Sequence, residues 1–261
     1  MVPVQITWLG YVGTTGLSAM DYLLADRFHV REGEEAFYSE QILRMPHDYV
    51  CYSPPEDAPD VTLLPALAMG RVTFGCFNNA FKLGPAILDA WAQILLRVPS
   101  SQLLIKNRSL NQSELRNRLH AHFAQQGIPP QRVLLEGGSP HLELLAEYGR
   151  VDLALDTQPY SGGLTTCEAL WMGVPVITFP GKSFAGRHST SHLVNAGLEQ
   201  FIAHDLGGYI ELAVDWAGRV KELTALRSQM RSQLANSPLC NAKEFAGDLL
   251  SLLRQAVTAN S

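Results

Sequence analysis

Lys82 ends a short loop, Phe77-Asn78-Asn79-Ala80-Phe81-Lys82, that follows an apolar run at Arg71–Cys76. A second loop, Tyr160-Ser161-Gly162-Gly163-Leu164, follows another apolar run, Val151–Leu155, that ends in Asp156. Gly162 and Gly163 let backbone come close to a ligand, and the unpaired N–H groups of Leu164, Thr165 and Thr166 at a helix start form an anion site. A phosphate suits such a turn, although the same residues also fit a plain strand-to-helix connection. Glu168, about one turn into the helix, is placed either to accept bonds from a ribose diol or to complement the helix dipole. A Lys82 ammonium facing the same crevice would neutralise a diphosphate leaving group without a metal. Taken alone, Lys82 reads equally well as a solvated lysine.

These groups meet only if the chain folds so as to bring the two loops together. Val151–Leu155 and Val174–Phe179 read as strands flanking one short helix, a βαβ unit whose strands must be parallel. Upstream, Arg71–Cys76, Leu103–Ile105 and Arg132–Leu135 read as strands, and Gln200–Ala203 as a sixth. Helices are expected over Pro85–Val98, Ser113–Gln126, His141–Tyr148, Arg187–Ala196, Gly208–Trp216, Glu222–Leu234 and Ala242–Val257. Strands alternating with helices predict an open parallel α/β sheet. In the common order 3-2-1-4-5-6, the loops after strands one and four sit side by side at the switch point, which places Lys82 beside Gly162 and Gly163.

The segment before this series is less regular. Residues 4–9 read as a strand, Gly10–Gly16 as a glycine-rich, ligand-facing turn, Leu17–Ala25 as weakly helical and Glu34–Met45 as a helix stopped by Pro46. The stretch SPPEDAPDVTLLP at 53–65 has the composition of a linker and marks a domain boundary.

At 261 residues, 46% hydrophobic and 17% charged, the chain has the composition of a well-cored globular protein. A net charge of −5 with no basic stripe argues against general nucleic-acid binding. Four scattered cysteines without a C-x-x-C suit reduced thiols, and no apolar run reaches membrane-spanning length, so a cytoplasmic location is expected. His188 and His192 share a helix face, but the glutamate of H-E-x-x-H and a third ligand are missing, so no metal site is expected. Arg187, at the same helix start, is a candidate for the diphosphate or an acceptor, or a solvated cap. Asp156 reads as a loop-shaping carboxylate, and Trp91 and Trp171 as core. No G-x-S-x-G elbow supports a serine hydrolase.

The segments FNNAFK…P at 77–85, LDTQPYSGGLTTCEALWMGVPVITFPG at 155–181 and SPLC at 237–240, with QITWLGYVGTTGLSAMDYLLAD near the start, resemble the catalytic region of the SPINDLY / O-linked N-acetylglucosamine transferase family, glycosyltransferase family 41, in its bacterial branch. The resemblance implies a two-lobed GT-B-type α/β fold with a Rossmann-like parallel-sheet C-terminal lobe and only a remnant of the N-terminal lobe. The expected divisions are 1–60 for the remnant, 61–240 for the nucleotide-sugar lobe and 241–261 for a helix bracing the first lobe. It implies an inverting, metal-independent protein O-glycosyltransferase acting on Ser or Thr, with UDP-GlcNAc as the first candidate donor and no other cofactor. Upstream tetratricopeptide repeats or a separate chain would supply what the first lobe lacks.

By the same resemblance, Lys82 holds the diphosphate and assists its departure, and Asn79 lies near the donor. Leu164 and Thr165 fall on phosphate-contacting positions, Glu168 on a ribose ligand, and Gly13 with its neighbours lines the sugar from the opposite lobe. Tyr160 falls where animal acetylglucosamine enzymes have cysteine and the plant SPINDLY branch has tyrosine, so the sugar could instead be fucose or glucose. Val12 replaces the family's usual proline, and Gly163 an animal histidine. The alternative of another class is a catalytically incomplete nucleotide-binding module.

Overall fold

Two parallel sheets organise the computed structural model, which describes residues 4–259. The first has three strands, β1 (Ile6–Thr7), β2 (Tyr22–Asp26) and β3 (Gln41–Met45), in the order β1-β2-β3. The helices expected over Leu17–Ala25 and Glu34–Met45 are therefore not formed. Those stretches hold β2, a three-residue 3-10 turn at Glu35–Phe37 and β3. Tyr22, Leu24, Leu43 and Met45 face an apolar cluster completed by Phe245, Leu249, Leu252 and Ala256, while Leu23 and Ala25 face another with Val30, Tyr49 and Phe184. Residues of both faces find apolar cover, and this distant packing overrides the local helical pattern.

The second sheet holds β4 (Thr73–Cys76), β5 (Gln102–Lys106), β6 (Val133–Glu136), β7 (Leu153–Leu155) and β8 (Val176–Ile177). Its order is β6-β5-β4-β7-β8, all parallel, the arrangement expected for its first five strands. The sixth strand expected at Gln200–Ala203 is reduced to one bridge, Thr178 to Ile202, because a 3-10 turn occupies Glu199–Phe201.

Helices α1 (Pro65–Met69), α2 (Pro85–Arg97), α3 (Ser113–Gln125), α4 (His141–Glu147), α5 (Leu164–Trp171), α6 (His188–Asn195), α7 (Leu206–Ala217) and α8 (Val220–Ala235) accompany this sheet. Their buried faces join the strands in one continuous apolar core. On α2 the apolar spacing buries Ile87, Leu88, Trp91, Ile94 and Leu95. Trp91 Nε1 donates to Tyr209 Oη at 2.8 Å, and that hydroxyl donates to the Asp156 carbonyl at 3.0 Å. The end of β7, from which the glycine turn departs, is thus tied to two helices.

The proline-rich 46–64 connector contains no helix or strand, yet it is held in place. Arg227 Nε donates to the Thr62 carbonyl at 2.9 Å, and Arg231 donates to the Pro59 carbonyl at 2.6 Å. Tyr52 and Leu64 enter the main core. Helix α9 (Ala242–Ala259) then returns to the three-stranded sheet and packs on β3.

Candidate functional site

The loop after β4 and the loop after β7 meet at the carboxyl ends of their strands, as the strand order requires. Asn79 caps the 3-10 turn Ala80–Lys82 by accepting from Phe81 N at 3.1 Å. This turn delivers Lys82 Nζ to the Ser161 carbonyl at 2.8 Å and places it 3.9 Å from the centre of the Tyr160 ring. Burial lowers the Lys82 pKa below the ordinary lysine value, and the charge of Asp156 works against that fall. A single ammonium with part of its hydration removed is a strong counter-charge for an entering anion.

Asp156 shapes the turn. Its carboxylate accepts from Gly162 N at 2.7 Å and from Thr178 Oγ1 at 2.6 Å. Gly162 must be glycine, because a Cβ there would lie 2.4 Å from Thr166 Oγ1. Ser189 Oγ donates to the Gly162 carbonyl at 3.0 Å, and Thr165 Oγ1 donates to Asn78 Oδ1 at 2.8 Å. Gly163, with open space around it, stands at the N-cap of α5 without a side-chain cap. Thr166 N turns back to the Gly163 carbonyl at 3.0 Å. Among the described residues, the N–H groups of Leu164 and Thr165 have no acceptor in the protein. Two of the three expected donors are thus free at the helix start, and the third is used.

Glu168 is buried and accepts a 2.7 Å hydrogen bond from His141 Nε2, a half-exposed side chain at the start of α4. Burial raises the Glu168 pKa above the usual carboxylate value, and His141 opposes that rise. His141 was missed from sequence, because the pairing spans two helices and has no fixed spacing.

A cleft of about 420 Å³ opens beside Lys82. One wall comes from Leu9, Val12 and residues 49–52, and the other from Tyr160, Gly163, Leu164, Cys167, His188 and His192. Gly13 does not line it; its neighbour Val12 does. The hydroxyls of the Gly10–Gly16 loop serve a structural purpose, since Thr14 Oγ1 donates to Glu40 Oε2 at 2.8 Å and Thr15 Oγ1 donates to Glu40 Oε1, which also accepts from Thr15 N at 2.6 Å.

Arg187 requires a correction. Its guanidinium is buried and faces the three-stranded sheet rather than the cleft. It donates to the carbonyls of His29, Gly181 and Lys182, each at 2.9 Å, and forms a two-pronged ion pair with Glu34. All five of its N–H groups are used inside the protein, leaving none for a diphosphate or an acceptor. His188 and His192 also face away from metal chemistry. His192 Nδ1 pairs with Asp48 Oδ2 at 2.6 Å, His188 Nδ1 lies 2.9 Å from His29 Nε2, and no described group of three ligating side chains could hold a metal ion.

The glycosyl transferase family 41 model matches residues 1–53 and 63–249. A Petunia hybrida protein described as a probable UDP-N-acetylglucosamine–peptide N-acetylglucosaminyltransferase SPINDLY is 39% identical over 97% of this chain, and its Arabidopsis thaliana counterpart is 38% identical over the same share. This chain covers 27% of the Petunia protein and 28% of the Arabidopsis one. A solved mutant O-GlcNAc transferase from Thermobaculum terrenum is 36% identical, with a TM-score of 0.92 over 99% of this chain and 49% of its own. A sucrose-phosphate synthase from Thermosynechococcus elongatus, 15% identical with a TM-score of 0.61 over 92% of this chain and 59% of its own, shares the fold. The parallel α/β architecture is thus of the GT-B glycosyltransferase type, and on the extent of these matches the chain belongs to glycosyltransferase family 41.

Proposed function

We propose that the cleft binds a nucleotide sugar, and that this chain is the donor-holding part of an inverting protein O-glycosyltransferase moving a sugar from UDP-GlcNAc to Ser or Thr. The observation that carries this reading is the position of Lys82. Its ammonium, held by the Ser161 carbonyl in the loop that leads to the uncapped start of α5, lines a cleft shared with the loops at 9–12 and 49–52. The diphosphate would lie against Lys82 and the free N–H groups of Leu164 and Thr165, with Asn79 and Thr166 shaping the loops around it. Glu168 and His141 would take the ribose side. The sugar would extend along Tyr160, opposite Val12, with Gly13 behind it in the same loop. The names of the curated relatives, which specify UDP-GlcNAc and a peptide acceptor, support the substrate classes.

Sugar departure leaves negative charge on the diphosphate, and pre-placed positive groups stabilise that charge where it develops. Lys82 and the helix start supply this, so the reaction should proceed in chelator at an unchanged rate. Domain limits of 1–60, 61–240 and 241–261, a cytoplasmic setting and tetratricopeptide repeats or a second chain completing the acceptor side belong to the same proposal. Tyr160 favours a second reading of the donor alone, fucose or glucose in place of GlcNAc, because its bulky ring, 38% exposed beside Lys82, would crowd an N-acetyl group there.

Calorimetry with UDP and GDP tests the reading. Saturable binding of one nucleotide, weakened at least tenfold by Lys82→Ala and by Glu168→Ala, is expected. Lys82→Ala should also lower transfer by about 10²- to 10³-fold. If neither nucleotide binds, the chain is not a donor site by itself. If binding occurs without transfer to peptide, it is a nucleotide-binding module.

A further inference from the structure

The cleft carries a polar group that the preceding account leaves unused. His188, at the first position of α6, lines the cleft with its ring centre 5.6 Å from that of Tyr160. Its Nδ1 faces into the protein, 2.9 Å from His29 Nε2 and 3.1 Å from Tyr49 Oη. The hydrogen bonds of its ring among the described residues are made at Nδ1, and Nε2 takes part in none of them.

The protons along this line are set from the far end. The fully buried Asp26 carboxylate accepts from the N–H groups of Phe28 at 2.8 Å, His29 at 3.0 Å and Tyr49 at 3.0 Å, and from Ser191 Oγ at 2.7 Å. It also faces His29 Nδ1 at 2.9 Å. Burial alone would raise the Asp26 pKa, but His29 and Ser191 outweigh it and hold it at about 2. An ionised carboxylate only accepts, so His29 Nδ1 carries a hydrogen. Only one hydrogen fits between His29 Nε2 and His188 Nδ1 at 2.9 Å, and placed on His188 Nδ1 it leaves the lone pair of that ring on Nε2. Burial, aided by the nearby Lys82, keeps the His188 pKa well below the ordinary histidine value, and Asp26 offsets only part of this. His188 is thus neutral, with its remaining lone pair on Nε2.

We propose that His188 Nε2 is a specificity-determining acceptor that reads one O–H or N–H group of the donor sugar, and that Asp26 and His29 are positioning residues that fix its tautomer. The inference rests on the nucleotide-sugar reading above. Lys82 marks the diphosphate; Glu168 and His141 do not line this cleft, whereas Tyr160 leads from Lys82 directly to His188. A sugar hanging from the diphosphate on that side would run along Tyr160 toward His188. An acceptor that the bound sugar covers without offering a donor penalises a sugar lacking the matching group.

The test compares UDP with UDP-GlcNAc by calorimetry, without any acceptor peptide. His188→Leu should weaken UDP-GlcNAc about tenfold and leave UDP unchanged. His188→Gln, whose amide oxygen can accept, should restore part of the loss. His29→Phe removes the tautomer control and should show the same UDP-GlcNAc-selective loss, with UDP binding unchanged. UDP binding verifies folding in every variant. Equal affinities of wild type and His188→Leu for UDP-GlcNAc, with UDP bound normally, would overturn the inference. Absence of UDP binding in the wild type would instead overturn the reading on which it rests.

Discussion

The two sheets are held by different forces. The five-stranded sheet sits in one apolar core to which its helices contribute. The three-stranded sheet owns two small clusters, and both are completed from elsewhere, by α9 on one face and by Phe184 on the other. Its orientation depends on a polar seam: Arg187 with Glu34, Asp26 with His29 and His188, and Asp48 with His192. Apolar area supplies stability without direction, whereas charged and bidentate bonds supply direction. The cleft lies along this seam, so the difference teaches that its stability and its geometry can be perturbed separately.

The strongest way to break the contrast is Trp91→Ala. Loss of a fully buried indole and its bond to Tyr209 should cost about 3–5 kcal/mol, and thermal unfolding should remain one transition in which both sheets melt. A variant melting only in the five-stranded sheet would mean that the other is self-supporting.

Arg187→Ala sharpens the contrast. Removing the buried partner of a pair whose Glu34 side is 25% exposed should cost about 2–3 kcal/mol, confined to the seam. Hydrogen exchange should accelerate in β2 and β3 while β4 and β7 stay protected. Uniform acceleration across both sheets would contradict a local role.

The smallest effect is that of pH. Asp26 falls from 3.8 to about 2 on folding, so its contribution, about 2 kcal/mol, is complete above pH 3.8 and lost as pH drops through about 2. For His192 burial lowers the pKa, but the Asp48 charge and hydrogen bond outweigh it and leave the value raised above 6.5. That contribution is complete below pH 6.5 and fades as pH rises through the raised value. Protection of β2 amides, corrected for intrinsic exchange, should therefore peak between about pH 4 and 6.5. A flat profile would remove both pairs from the seam.

The same division governs what could be read from sequence. In the five-stranded unit each helix carries its own apolar period and each strand its own punctuation, so the strand order, and with it the meeting of Lys82 with the glycine turn, followed from local signals. YLLAD at Tyr22–Asp26 and QILRM at Gln41–Met45 have no such signal, since alternate residues are claimed by covers far along the chain, α9 on one face and Phe184 on the other. Arg187 shows the same limit within the site. A guanidinium at a helix start suggests an anion outside, and only the fold reveals that Glu34 and the His29 carbonyl are already there.

Helix α9 has a consequence for biosynthesis. Roughly 200 residues separate β3 from the helix that covers it, so at ordinary elongation rates Leu24, Leu43 and Met45 wait some 10–40 s for their cover after leaving the ribosome. During that interval the sticky face of a nascent sheet is open to chaperones and to other chains, and yield in a cell should depend on how it is shielded until translation reaches Ala242.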